Sequence, residues 1–495
     1  MSRKKKALLV VFIIHHSAFI ILFAGCGARR TPDLERVFSD MRAREGKRPI
    51  IVVPGAVGSE IVNSRTGEVV WPKLFRSSDD ELDLPISADL AINRDGLVAG
   101  KIIRDARFLP LLPKVNFFKK LLDVLRKDAG YREGNWDTPA PDGDRDTFYV
   151  FPYDWRRDNV ETAQLFIRRV EELKRKLNRP DLRFNLITQS MGGLVARYAA
   201  MYGDADLPDG DTVPRPTWAG AAHINSIVMF AVPNEGAAEF FAMILDGYSL
   251  TDGSRRRVRL LKKLSRRDVL SVPSMFQMIP HPAATRFLDG DLKPLKVDLY
   301  DPETWRRYSW SAAFDPKYRK HFTGNNSSVN SERKTGATTD TSAPGVIDAY
   351  LAAVLRRAKC FHEALSAPSE GEAPVKLLAF GSSCVDTLNA PVILRDEKKN
   401  RWVTLVRPRG LRASNNRRLS HDEVKRAMYA PGDGRMTRRS LLGQSLMGKR
   451  SEGTLYDTTL PISYAAFVCE THSGIHANKI VQDNALTQLV NEAMK

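Results

Sequence analysis

The sequence predicts an α/β fold, and three observations carry that prediction. A hydrophobic run with a β-branched core, Phe184 to Thr188, stops at Gln189-Ser190 and passes through Met191-Gly192-Gly193 into a helix-compatible stretch, Leu194 to Tyr202. Upstream, Ile50-Ile51-Val52-Val53 reads as a buried strand that opens into the glycine-rich loop Pro54-Gly55-Ala56-Val57-Gly58-Ser59. Late in the chain, Leu377 to Phe380 and Tyr464 to Val468 are strand-like, and a helical stretch runs from Ile475 to Met494.

The first of these segments has the pattern of a nucleophile elbow. A strand enters, a serine sits at a strained tip, and a helix leaves. Gly192, Gly193 and Ala196 are small enough to let that helix lie close to a sheet. The helix N-terminus would put the Met191 backbone N–H where an oxyanion could be held. In hydrolases of this architecture the earlier loop supplies a second such donor, here the backbone N–H of Ala56. Thr188 stands where G-x-S-x-G has its first glycine, and a β-branched residue fits a tight elbow less easily. The plainer reading makes Ser190 a turn residue and the two glycines packing.

Partners for an elbow serine follow in the order Asp, then His. Asp433 lies in the turn Pro431-Gly432-Asp433-Gly434, and His472 in Cys469-Glu470-Thr471-His472-Ser473-Gly474. A long gap from Ser190 to Asp433 and a short one from Asp433 to His472 predict a substantial insertion after the nucleophile, where lids sit. Asp386, beyond another apparent strand, and His476 are the competing acid and base.

Taken together these stretches resemble the lecithin–cholesterol acyltransferase family, which includes phospholipid–diacylglycerol acyltransferases and related phospholipases. The likeness is carried by Val53-Pro54-Gly55 with Gly58-Ser59, Gly67-Glu68-Val69-Val70-Trp71-Pro72, Asp95-Gly96-Leu97-Val98 and Gly130-Tyr131. It continues through Pro152-Tyr153-Asp154-Trp155-Arg156, Ser190-Met191-Gly192-Gly193, Val232-Pro233-Asn234-Glu235-Gly236 and Pro273 to Pro280, then Gly432-Asp433-Gly434 and His472. Pro-Tyr-Asp-Trp-Arg is the most family-specific. The resemblance implies an α/β-hydrolase fold with an inserted cap, with Ser190 as nucleophile, Asp433 as orienting acid and His472 as general base. It also implies a lipid ester, such as a phospholipid, as substrate, and no metal or cofactor. The chain departs from the family at Arg435-Met436, where Thr-Val is usual, and at Gln189, where His is usual. Arg435, beside the acid, could compete for the Asp433 carboxylate and weaken the base.

Three functional readings follow. The first is a serine O-acyltransferase, the second a lipase or phospholipase using water. The third is a catalytically silent lipid- or envelope-binding lipoprotein on the same scaffold.

The N-terminus sets the expected compartment. Arg3, Lys4, Lys5 and Lys6 precede an apolar stretch from Ala7 to Ala24, and Phe23-Ala24-Gly25-Cys26 resembles a bacterial lipobox. This predicts a signal segment over 1–25, lipidated Cys26, a tether over 26–47 and a catalytic domain held at a membrane in the cell envelope. The competing reading is an uncleaved span. With Cys26 lipidated, Cys360, Cys384 and Cys469 allow one disulfide and leave one thiol over. Neither C-x-x-C nor H-E-x-x-H occurs, which disfavours a metallo-hydrolase.

The net charge is +18, and loss of the four basic residues in 1–25 lowers it to +14. Export makes an anionic lipid surface the better partner for that excess than nucleic acid. Arg255 to Arg267 interleaves basic and apolar residues like an amphipathic helix, or a solvated face of an ordinary one. The expected layout is a core over 48–234, with an insertion at about 71–122, a cap over 235–370 containing a polar loop from Thr323 to Pro344, and a second core part over 371–495. The stretch Arg407 to Arg426 reads as a basic excursion from that second part.

Overall fold

The structure is a computed structural model and describes residues 42, 44–73, 82–106, 115–208, 212, 214–248, 264–316, 344–370, 372–447 and 455–491. The expected signal segment, Cys26, most of the tether, Arg255 to Lys263 and Thr323 to Ala343 lie outside these residues. No described helix is long and apolar enough to cross a membrane.

Seven strands form the central sheet. In chain order they are β1 (Ile50–Val53), β2 (Arg132–Glu133), β3 (Thr147–Val150), β4 (Phe184–Gln189), β5 (Ile224–Phe230), β6 (Lys376–Ser382) and β7 (Ile462–Val468). Their spatial order is β7-β6-β5-β4-β1-β3-β2, and every pairing is parallel. A parallel sheet needs crossovers, which cover its faces with helices, so its strands read as continuous apolar runs. Ile50 to Val53 and Phe184 to Thr188 are buried throughout.

Two helices frame the elbow. Helix α1 (Asn159–Lys176) starts at Asp158, whose carboxylate caps the N–H groups of Val160 and Glu161. Helix α2 (Met191–Tyr202) is buried along its whole length. It packs on α1, β4 and β5. A Cβ on Gly192 would lie 2.4 Å from the Pro54 carbonyl oxygen, and one on Gly193 would lie 2.1 Å from Val232 Cγ2. Only glycine permits so close a contact between α2 and the strand ends.

At the start of the expected early insertion, Val69–Trp71 and Leu97–Ile102 flank Ser59–Asn63 in a three-stranded antiparallel sheet. Ile61, Val70, Leu97 and Ile102 are buried, while Val69 and Val98 are exposed. Trp71 is buried, donates its Nε1–H to the Val57 carbonyl at 3.1 Å and meets Trp155 edge-on.

After β5 the chain forms α3 (Ala238–Asp246) and then α4 (Pro302–Tyr308) and α5 (Pro344–Ser366). Among the described residues of 235–370, none joins the seven-stranded sheet. Between β6 and β7 the chain leaves that sheet again. Val385–Leu388 pairs antiparallel with Tyr429–Gly432, and Val392–Asp396 pairs with both Arg401–Leu405 and Phe287–Leu288. This excursion starts before the basic stretch at Arg407 and ends at the turn that carries Asp433.

Candidate active site

The elbow is built as its sequence pattern predicts. Ser190 sits between β4 and α2 with φ 52° and ψ −126°, a conformation that a non-glycine residue adopts only when its surroundings force it. Its N–H donates to the Phe230 carbonyl at 2.8 Å, and its own carbonyl accepts from Gly193 at 3.0 Å. Thr188 fits two positions earlier because its hydroxyl donates to the Val228 carbonyl on β5 at 2.9 Å. The β-branched residue is thereby accommodated in the sheet.

Asp433 and His472 converge on this serine. His472 Nε2 lies 3.1 Å from Ser190 Oγ, and His472 Nδ1 lies 2.8 Å from Asp433 Oδ2. All three residues are buried. The other Asp433 oxygen, Oδ1, accepts the backbone N–H groups of Arg435 at 2.8 Å and Met436 at 2.9 Å. Two donors on one oxygen leave the second free to face the imidazole. A further bond runs from the His472 N–H to the Asp433 carbonyl at 2.9 Å, so backbone and side chain both hold the pair in register.

The expected competition from Arg435 is not what the geometry gives. Its backbone N–H supports the acid, while its guanidinium lies over the Tyr248 ring, 5.1 Å from the centroid, and beside Met243 Sδ. The alternative candidates lie elsewhere. Asp386 is exposed and pairs with Lys425 at 2.6 Å. His476 donates from Nε2 to the Phe117 carbonyl at 2.5 Å and stacks on Phe118, and burial lowers its pKa.

The loop expected to carry Ala56 leans on the elbow. A Cβ on Gly55 would fall 2.9 Å from Ser190 Cβ and 2.3 Å from Gln189 Oε1. Ala56 follows directly, and Met191 is the first residue of α2, whose opening N–H groups have no partner within the helix.

Several supporting residues were not identified from sequence as such. The Pro-Tyr-Asp-Trp-Arg segment is a brace for the Pro54 loop. The Tyr153 hydroxyl donates to the Pro54 carbonyl at 2.8 Å, and Trp155 Nε1–H to the Ser59 carbonyl at 3.3 Å. Arg156, fully buried, pairs with both Asp154 at 2.8 Å and Asp95 at 2.6 Å. Their charge holds the guanidinium protonated against its burial. Thr387 anchors the acid turn, since its hydroxyl accepts the Gly434 N–H at 2.8 Å and donates to the Val385 carbonyl at 2.9 Å. Finally, a disulfide joins Cys384, just past β6, to Cys469, three residues before His472. Cys360 is the remaining described thiol.

Residues 118–313 match the model of the lecithin:cholesterol acyltransferase family. That stretch of the chain is similar to the family. The matched stretch contains Ser190 and ends before Asp433 and His472, so the family match and the geometry are separate observations. Among solved structures, the crystal structure of the Tle4-Tli4 complex has a chain 14% identical to this one. The match covers 90% of this chain and 99% of that chain, with a TM-score of 0.51. At that identity the likeness concerns the fold, which is α/β-hydrolase. No curated protein sequence matches this chain.

Proposed function

We propose that the protein is a serine enzyme of lipid metabolism that moves a fatty acyl group from a phospholipid or related lipid ester to an alcohol through an acyl-Ser190 intermediate. The observation that carries this reading is the hydrogen-bonded line from Ser190 Oγ through His472 to Asp433 Oδ2. The family match over 118–313 supports the lipid ester as substrate.

In this reading His472 Nε2 takes the Ser190 proton as Oγ attacks the ester carbonyl. Asp433 Oδ2 accepts the Nδ1–H, fixing the tautomer and stabilising the imidazolium that forms. The oxyanion falls to the N–H groups of Met191 and Ala56, and losing one such donor typically costs ~10²–10³ in turnover. Collapse expels the donor's alcohol, which takes the proton back from His472. An acceptor alcohol, deprotonated in turn by His472, then attacks acyl-Ser190 and carries the acyl group away. Water in the same position gives a lipase.

Lipidation at Cys26 and residence at a membrane in the cell envelope belong to the same proposal. The Cys384–Cys469 disulfide supports export, because such bonds persist in oxidising compartments. The deciding experiment incubates the protein with acyl-labelled phospholipid, with and without a long-chain alcohol, and resolves acyl ester from free fatty acid. Label in the ester is the expected result. Free acid alone at every alcohol concentration makes it a hydrolase, and no turnover of any ester, with the fold intact, refutes the acyl-enzyme.

A further inference from the structure

One surface gathers cations around a single indole ring. Trp402 is half-buried on the strand Arg401–Leu405, opposite Arg395 on Val392–Asp396. The Arg395 guanidinium lies 5.3 Å from the Trp402 ring centroid, and that of Arg307, at the end of α4, lies 5.6 Å from the same centroid. The hairpin turn between the strands adds Lys398 and Lys399, and Arg401 follows; all three are exposed. None of these five cations is ion-paired among the described residues. Surface arginines and lysines elsewhere are often paired, as Arg266 is with Asp315, Arg267 with Asp83 and Lys425 with Asp386. Asp396 and Glu397 are the carboxylates within the hairpin turn, and Asp396 accepts the Lys399 N–H.

The patch is firmly seated. Tyr308 meets the Trp402 ring edge-on at 5.3 Å and packs against Trp310, which contacts Phe241 of α3 at 4.7 Å. Trp310 also donates its Nε1–H to Thr404 Oγ1, two residues along the same strand. The indole therefore cannot fold inward without disturbing a packed aromatic cluster.

An indole bracketed by two guanidinium groups that form no ion pair among the described residues, one of them donating to Asn400 Oδ1, beside a lysine-rich turn, has the chemistry of a headgroup contact. Trp settles at the boundary between headgroups and acyl chains, and Arg and Lys reach lipid phosphates while their stems lie along apolar surface. We propose that Trp402, Arg307, Arg395 and the Lys398–Arg401 turn dock on the anionic face of a phospholipid bilayer. The proposal rests on the lipid-ester reading of the Ser190 site for its sense, but its physical claim is independent of catalysis. Docking here is distinct from any role of the Arg255 to Arg267 segment. Arg266 and Arg267, the described part of that segment's basic run, are ion-paired within the protein.

The test is hydrogen exchange on the full chain with vesicles of phosphatidylcholine alone or mixed with phosphatidylglycerol. Amides of 395–402 should gain protection on the anionic vesicles and not on the neutral ones. This is a local footprint that an N-terminal anchor does not produce. Replacing Arg307 and Arg395 by glutamine should weaken attraction to anionic vesicles on the order of fivefold per charge. The same variant should lose turnover of vesicle-borne ester while leaving a short soluble ester within about twofold. Lys398→Gln with Lys399→Gln, which leaves the indole and its packing intact, should repeat the effect and so separates docking from misfolding. Unchanged exchange over 395–402 on anionic vesicles overturns the proposal, as does unaltered vesicle turnover in both variants. Failure to turn over even the soluble ester would instead remove the acyl-enzyme reading, with the exchange footprint still deciding the docking.

Discussion

Breaking the Cys384–Cys469 disulfide should cost stability far more than rate. The bond spans a sequence separation of 85 residues, and in the chain-entropy model closing such a loop removes about 4.6 kcal/mol worth of freedom from the unfolded chain. The folded geometry around it is held by other means. β7 pairs with β6 from Leu377 to Ser382, the Glu470 N–H donates to Ser382 Oγ at 3.3 Å, and the His472 N–H donates to the Asp433 carbonyl. With three independent restraints left, His472 should stay within reach of Ser190. Cys384→Ser should therefore lower the urea midpoint by the equivalent of several kcal/mol and steepen the transition, because the freed unfolded chain exposes more surface. Turnover of a soluble ester well below that midpoint should fall less than about tenfold on this argument. Denaturation followed by tryptophan fluorescence, beside initial rates with and without reductant, measures both. A variant with an unchanged midpoint but a rate down more than a hundredfold would refute the reasoning. The bond would then be the principal restraint on the base.

Four further outcomes are expected. Ser190→Ala should abolish turnover and labelling by a fluorophosphonate, while Asp433→Asn and His472→Ala each lose most of the rate because the three act as a unit; Asp386→Asn, an exposed partner of Lys425, should be mild, and an inactive Asp386→Asn beside an active Asp433→Asn would reverse the acid assignment. Thr387→Val strands the Gly434 N–H and should cost about 1–3 kcal/mol in a melting experiment, with a loss of kcat that Thr387→Ser largely restores. His281 is held by burial at a pKa of about 4, below its ordinary 6.5, so the unfolded chain takes up a proton between those values and the native state does not. Stability is then full above 6.5 and declines as pH falls towards 4, by roughly 3 kcal/mol at the lower end; His362, also lowered by burial, adds in the same direction, and His281→Asn should flatten the slope of midpoint against pH. Cys26→Ala should leave an uncleaved precursor and remove lipid label, and equal processing of both forms would end the lipoprotein proposal.

What the sequence disclosed and what it withheld divide along the range of the forces involved. The elbow was legible because strand, serine, glycines and helix are contiguous, and local backbone sterics leave few ways to arrange them. Asp433 and His472 were legible through chain order and their place after predicted elements. The part of Arg435 was not legible, because a guanidinium next in sequence but one to a carboxylate need not face it. The turn gives Asp433 the backbone N–H and sends the side chain to Tyr248 and Met243. Thr387 carried no signal at all, as an isolated threonine whose partner lies 47 residues away. The cysteine count allowed one bond without saying which, since pairing depends on two loops being brought together by β6 and β7. The brace made by Tyr153 and Arg156 was visible only as a family mark. Its mechanical sense needed the Pro54 carbonyl and Asp95 in place.

The order in which the ribosome delivers these parts has a consequence of its own. Ser190 needs only the strands and helix around it, but its base hangs from β7, an outer strand of the sheet, and lies 282 residues further along. A chain that ends after β5 holds the strand and helix of the elbow and lacks both groups proposed to activate it. On the proposed reading, the serine can acquire no activating base until almost the last strand of the sheet has docked. Any fragment cut before Ile462 lacks that base as well.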